Sequence, residues 1–438
     1  MNILFDTSVL GAGNFNVRAQ TGIFRVVYNL ARGLAADPRV NMTFCAPASF
    51  VLLLETIKFH EADGILRQHA FAVPDYRYFS SVRCGIEALQ RCIARHERIY
   101  GRTALSSKLL RTARMLTNRA LTALQALDSD LLLDKKYLNT ADIYHSPFHP
   151  FPSHLRQDAP HLIRFITIHD LIPIKFPHFF AFDEQQILRK NLAAIDQRDW
   201  ILCVSQSTKN DLLEYRPDLD PEKIFVVYLG CSSHFYPCTD TERRKAVRLK
   251  YGIPLHAIYF LSLSTLEPRK NIGAIIQAFA RLQEQERNKS LFLVLAGPKG
   301  WDYSTIFTER KRFPALNKQI ILPGFIDEQD MAPLYSDALA FIYPSLYEGF
   351  GLPLLEAMQC GTPVITSNTS SMPEVVGDAG ITIDPVDVDS LAEKMLDIYS
   401  RPELVKILSE KSRKQASLFS WDKCVEQTIN TYMRAIDR

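Results

Sequence analysis

The feature that most constrains this chain is an alternation that runs along it twice. Short apolar runs of strand length alternate with stretches of helical periodicity, first over residues 3–228 and again over 257–383. Strands separated by helices cannot pair as hairpins. Each must cross over to lie parallel to its neighbour, which puts helices on both faces of the sheet. In the first run the strands are expected at 3–5, 143–144, 162–168, 200–204 and 224–228, with helices over 183–195 and 208–215. Ile23, Val26, Val27, Leu30 and Leu34 recur at helical spacing. In the second run strands are expected at 257–263, 291–295, 319–322, 338–343, 363–366 and 380–383. Between the runs, 231–240 is rich in polar residues and proline, and 241–251 reads as a charged helix. The boundary therefore falls within 235–255. The expectation is an α/β fold of two doubly wound, Rossmann-like domains, 1–240 and 241–420, followed by a closing helix over 421–438. At 438 residues the chain is long enough for both. The segment 11–22, with Gly11, Gly13 and Gly22, reads as the first strand-to-helix loop. It lacks the third glycine of a dinucleotide fingerprint and is not followed by Gly-Lys-Ser/Thr.

The chemistry concentrates at Tyr343-Pro-Ser-Leu-Tyr-Glu-Gly-Phe-Gly-Leu-Pro-Leu-Leu-Glu356. Two carboxylates, Glu348 and Glu356, are separated by seven residues that include Gly-Phe-Gly and a proline. Phe341-Ile342-Tyr343 reads as a strand end, Gly349 and Gly351 permit a sharp turn, and Pro353 suits the first turn of a helix. The free amides of such a terminus favour an anion. A carboxylate at either end of the turn can accept hydrogen bonds from sugar hydroxyls. A nucleotide sugar, with phosphate in its middle and a polyol at each end, fits that arrangement.

This string, continued by Glu356-Ala-Met-Gln-Cys-Gly361 and Pro373-Glu-Val-Val-Gly377, resembles the Glu-x7-Glu signature of the retaining family-four glycosyltransferases. Their fold, GT-B, sets two Rossmann-like domains face to face across a cleft, and the resemblance implies that the closing helix over 421–438 returns to the first of them. Leu266-Glu-Pro-Arg-Lys-Asn271 resembles the family's donor-phosphate motif, with Thr265 where many members have arginine. His169, in Ile166-Thr-Ile-His-Asp-Leu-Ile-Pro173, resembles the histidine that faces the transferred sugar. The resemblance implies His169, Lys270 and Glu348 as the catalytic set. It implies donor binding by Gly22, Arg269, Lys270, Gly324, Phe325, Glu348, Gly349, Phe350, Gly351, Leu352 and Glu356. Lys270 would neutralise the leaving diphosphate, Glu348 would hold sugar hydroxyls, Glu356 the ribose, and Gly324-Phe325 would flank the base. Asp170 reads as a partner of His169, as an acceptor contact, or as a helix cap. The implied mechanism retains anomeric configuration and needs no metal or cofactor beyond the nucleotide-sugar donor. The Pro-Arg-Lys-Asn form resembles mannosyltransferases of bacterial surface-polysaccharide assembly. GDP-mannose is therefore the favoured donor and UDP-glucose the alternative. The acceptor is a glycan or lipid-linked oligosaccharide. An epimerase or hydrolase of nucleotide sugars and a non-catalytic partner subunit are the readings from other classes. Retention of Glu348 and Lys270 argues against the last.

One segment departs from the alternation. Residues 80–120, within a helical insertion of about 80–125, carry nine basic residues against two acidic ones, in a chain whose formal net charge is +3. Leu105, Leu109, Leu116, Leu121 and Leu124 recur at roughly helical spacing. This reads as a solvated basic face, a contact with an anionic membrane surface, or a protein contact. The near-balanced charge elsewhere gives no nucleic-acid footprint. Eight cysteines show no Cys-x-x-Cys pairing, and the histidines from His145 to His178 match no zinc spacing. The first residues lack the basic start of a signal peptide, and no run reaches the roughly 18 apolar residues of a membrane span. A cytoplasmic protein is expected, with peripheral contact at the inner face of the membrane if the insertion binds lipid.

Overall fold

A computed structural model describes residues 1–15, 22–73, 133–180, 182–300 and 304–438, with isolated residues between 85 and 119. The basic stretch 80–120 lies largely outside these. Among the described residues, one sheet has seven strands: β1 (Asn2–Asp6), β2 (Asn41–Cys45), β3 (Ala70–Phe71), β4 (Ile143–Ser146), β5 (Ile163–Ile168), β6 (Trp200–Cys203) and β7 (Ile224–Val226), in the order β3-β2-β1-β4-β5-β6-β7. The other has six: β8 (Ile258–Leu263), β9 (Leu291–Ala296), β10 (Ile320–Gly324), β11 (Ala340–Tyr343), β12 (Val364–Ser367) and β13 (Ile381–Ile383), in the order β10-β9-β8-β11-β12-β13. β1 runs parallel to β2 and β4, and β8 parallel to β9 and β11. Both sheets are doubly wound, as the alternation requires. Each starts in its middle, winds one way, then returns and winds the other. The reversals lie between β1 and β4 and between β8 and β11, where doubly wound sheets bind their ligands.

By its internal contacts the chain parts into two compact units. One is Met1–Thr167 with Lys190–Ile201 and Ile429–Arg438; the other is Ile168–Arg189 with Leu202–Thr428. The helix Trp421–Ile436 contributes residues to each.

In the second unit β9, Leu-Phe-Leu-Val-Leu-Ala, is buried along its whole length. A strand covered by helices on both faces needs continuous apolar sequence rather than alternation. Phe260, Ile275, Phe279, Leu293, Ile342, Ile365 and Met395 form the heart of that core. In the first unit two of the buried polar side chains are held by close partners. Arg164 on β5 makes two bonds to Asp199, 2.7 and 2.6 Å, beneath the ring of Phe151. His145 lies between the hydroxyls of Tyr432, 2.5 Å, and Thr167, 2.9 Å. The first of the clustered histidines is thus a hydrogen-bonded core residue.

The structure differs from expectation at the start of the chain. Ser8–Phe15 is a helix where a loop is expected, while 16–21 lies outside the described residues. Asp6 at the end of β1 starts that helix by accepting from the amide and hydroxyl of Ser8, at 2.8 and 2.5 Å. Gly11 serves packing. A Cβ on Gly11 would sit 2.4 Å from the carbonyl oxygen of Leu52 and 2.5 Å from the hydroxyl of Thr56, both in the helix Phe50–Ala62. The expectation also passes over β2 and β3. β3 is only two residues long, and in β2 the polar Asn41 and Thr43 alternate with buried neighbours.

Gly11→Ala is expected to destabilise the first unit by about 1–3 kcal/mol, because the added methyl group meets backbone that must move. Thermal unfolding should show a lower midpoint; an unchanged one would mean that the two helices separate without cost.

Candidate functional site

The site grows from the reversal of the second sheet, where the ends of β8 and β11 lie side by side. After β8, Pro268–Lys270 forms one turn of 3-10 helix, closed by Asn271 in the left-handed conformation, φ 56°. The Asn271 side chain donates to the carbonyls of Pro344, 3.1 Å, and Pro385, 2.7 Å. The Arg269 carbonyl accepts from the amide of Leu346, 2.9 Å, and from the hydroxyl of Ser345, 3.2 Å. The loop after β8 is therefore stitched to the loop after β11, and their charged side chains face each other.

Glu348 is the centre of this arrangement. One oxygen accepts from Lys270 Nζ, 2.5 Å, Ser345 Oγ, 2.5 Å, and the Tyr343 hydroxyl, 2.8 Å. The other lies 2.9 Å from Arg269 Nη1. Arg269 is anchored in turn on the Tyr347 carbonyl, 2.6 Å, and on Glu267, 2.7 Å. The Glu348 amide donates to Ser370, 3.0 Å, and its carbonyl accepts from Ser371, 3.0 Å. Burial works to raise the Glu348 carboxyl, but Arg269 and Lys270 outweigh it and hold it at about 2. Burial and the neighbouring Arg269 lower the Lys270 ammonium, against the pull of Glu348. Glu348 and Glu267 balance the two cations, so an anion entering this place would take Arg269 and Lys270 over from carboxylates they already hold.

The Gly-Phe-Gly turn is set by close approach. A Cβ on Gly349 would fall 2.1 Å from the carbonyl oxygen of His169, so no larger residue fits. Gly351 caps the helix Leu352–Gln359 with φ 105°, a conformation that favours glycine, and Pro353 lies in the first turn. Glu356 is buried in the second turn of that helix and accepts from the Tyr335 hydroxyl at 3.3 Å.

The structure brings Arg269, Lys270 and Glu348 into direct contact, with the His169 backbone against Gly349. Asp170 accepts from the amide of Ile172, 2.9 Å, at the start of a short helix. Burial raises its carboxyl, while the Ile172 amide, Arg269 and Lys270 work to lower it. Gly324 ends β10 with φ 81°, and Phe325 beside it is 56% exposed. Leu352 opens its helix. The Phe350 ring points away from the charged cluster, into a core formed with Tyr228 and Phe419. Gly22 begins the helix Gly22–Ala36 of the first unit. The sequence reading did not single out Tyr343, Ser345, Ser370 and Ser371, which hold Glu348. The first two lie inside the quoted string, but nothing in it says which way they point.

A sequence profile of the family described as glycosyl transferases group 1 matches residues 243–415. The O-antigen chain mannosyltransferase B of Escherichia coli is 34% identical over 291 residues, 66% of this chain and 74% of that one. The chain belongs to the group 1 glycosyltransferases. The serotype-specific mannosyltransferase WbdA of Escherichia coli is 28% identical over 271 residues. Those residues are 61% of this glycosyltransferase but only 33% of WbdA. Among solved structures, a glycosyltransferase from Rickettsia africae superposes with a TM-score of 0.66 at 18% identity, covering 99% of this chain and 98% of that one. Anabaena HepE, crystallised with UDP and glucose, superposes with a TM-score of 0.61 at 15% identity, with 99% of each chain covered. At these identities the superpositions establish the GT-B fold.

The charged cluster generates a pH dependence. The Glu348 carboxyl is depressed from 4.5 to about 2, so its stabilising contribution is present above about pH 4.5 and is lost as pH falls toward 2. Glu348→Gln leaves Lys270 without its carboxylate and Arg269 with Glu267 alone, and is expected to cost on the order of 3 kcal/mol at pH 7. Unfolding midpoints of wild type and variant should converge as pH falls below about 4.5. A constant gap would show that the ion pairs contribute nothing.

Proposed function

We propose that this glycosyltransferase moves mannose from GDP-mannose to a glycan or lipid-linked oligosaccharide during surface-polysaccharide assembly, with retention of anomeric configuration and without a metal or other cofactor. The observation that carries the reading is the buried Arg269–Lys270–Glu348 cluster at the reversal of the second sheet, in a chain similar to a mannosyltransferase of O-antigen synthesis. In this reading the donor diphosphate takes up Lys270 and Arg269. Glu348, released from part of its pairing, accepts from sugar hydroxyls. The bond from the anomeric carbon to the diphosphate oxygen breaks, and its electron pair leaves with the diphosphate. The acceptor hydroxyl bonds to the anomeric carbon on the same face and gives its proton to the departing phosphate oxygen. Lys270 and Arg269 stabilise the charge that grows on the leaving group, which is where fixed cations lower a barrier most. Glu356 and Phe325 serve the nucleoside, and His169 faces the sugar.

A screen of GDP-mannose, other GDP-sugars and UDP-hexoses tests the proposal by released nucleotide diphosphate, with and without glycan acceptors. GDP release from GDP-mannose that requires an acceptor is the expected result, with an α-linked product and activity retained in EDTA. Preference for a UDP-sugar overturns the donor. Release without any acceptor points to hydrolysis. Lys270→Ala should weaken GDP binding and slow turnover together, by about a hundredfold in kcat/KM.

We also propose that the enzyme works at the cytoplasmic face of a membrane, with residues 80–120 on anionic lipid. Among the described residues no helix is long and apolar enough to cross a membrane. Binding to anionic vesicles should fall with rising salt, since charges farther apart than about 8 Å are screened at physiological ionic strength. Replacing Arg91, Arg95, Arg98 and Arg102 with glutamine should abolish it. Indifference of the wild type to anionic vesicles at low salt overturns this contact.

A further inference from the structure

Glu374 lies outside the charged cluster, in the short helix Met372–Val376. Its carboxylate is fully engaged. One oxygen accepts from the amide of Gln206, 2.7 Å, and from the Tyr228 hydroxyl, 3.1 Å; the other accepts from the amide of Ser207, 2.8 Å. Gln206 and Ser207 are the first two residues of the helix Gln206–Tyr215. Their amides point out of the helix end and have no partner within it. A carboxylate from a remote segment therefore completes this helix, with the favourable sign for its dipole.

The same helix end holds the site. Ser205 Oγ donates to the Gly349 carbonyl at 2.7 Å, and Thr208 Oγ1 lies 3.3 Å from the carbonyls of both Gly349 and His169. One turn further on, Asp211 accepts from the Tyr347 hydroxyl, 2.7 Å, and from Lys175 Nζ, 2.5 Å. The helix thus touches the segment that carries His169 and the segment that carries Glu348. Glu374 ties its N-terminus to the strand-to-helix connection whose Ser370 and Ser371 hold the Glu348 backbone.

We propose that Glu374 is a positioning residue of the transfer reaction. By clamping the first amides of Gln206–Tyr215 it sets the register of His169 against the Gly349 turn, and so against the sugar held by Glu348. The inference rests on the functional reading above. The geometry explains why a carboxylate is needed: two amides approach two oxygens, whereas a glutamine offers one acceptor and sets an amino group against the other N–H.

The test is a double-mutant cycle of Glu374→Gln and His169→Ala, with GDP affinity measured for each protein. Glu374→Gln is expected to lower kcat about tenfold to a hundredfold, while its affinity for GDP and its melting temperature stay close to wild type. In the His169→Ala background the same change should lower kcat less than about threefold, because the residue acts through His169. Multiplied losses, or a loss confined to GDP affinity, overturn the proposal. Hydrogen exchange supplies a readout independent of turnover. Peptides over 166–172 and 204–210 should exchange faster in Glu374→Gln, and unchanged exchange overturns the clamp. A wild type that transfers from no donor defeats the functional reading instead, and the exchange result still decides the clamp.

Discussion

The pairing of Glu348 with Lys270 and Arg269 is the interaction on which the rest of the site depends. Three charges taken out of water would each cost several kcal/mol if left alone, so each fixes the position of the others. Lys270 is held out of water by Glu348, and Arg269 by Glu348 together with Glu267. Glu348 keeps its charge because Tyr343, Ser345 and the two cations occupy its oxygens. The hydrogen bonds of Ser345, Leu346 and Asn271 to backbone carbonyls then hold the two loops at that separation.

Around the cluster the backbone matters as much as the side chains. Gly349 has no room for a Cβ because the carbonyl of His169 stands there. The same approach lets Ser205 and Thr208 bind the Gly349 carbonyl. Gly11 plays the corresponding part in the first unit, where two helices touch through backbone. Gly349 stands in the connection between β11 and the helix Leu352–Gln359, and Gly11 in the helix that follows β1.

Candidate residues were legible where a motif is contiguous. Arg269, Lys270, Glu348, the glycine turn and Glu356 all lie in two short strings, and the structure brings Arg269, Lys270 and Glu348 into contact. The loop expected over 11–22 misread glycine as a sign of loose chain, when in Gly11 it marks tight packing. Phe350 stands in the motif but points into the core with Tyr228 and Phe419, and the string does not carry that direction.

By itself the sequence determined the class of fold and the family. Strand and helix periodicities are local, and so are the strings that carry the charges. Only the tertiary structure decided which groups saturate those charges. Ser370, Glu374 and Asp211 are ordinary polar residues whose meaning comes from what stands opposite them. Glu374 meets the amides of Gln206 and Ser207 across 168 and 167 positions of chain. A hydrogen bond of that span leaves no periodicity in the sequence. It is set by where the fold brings the two segments together, and by the need of the first amides of a helix for an acceptor from outside it.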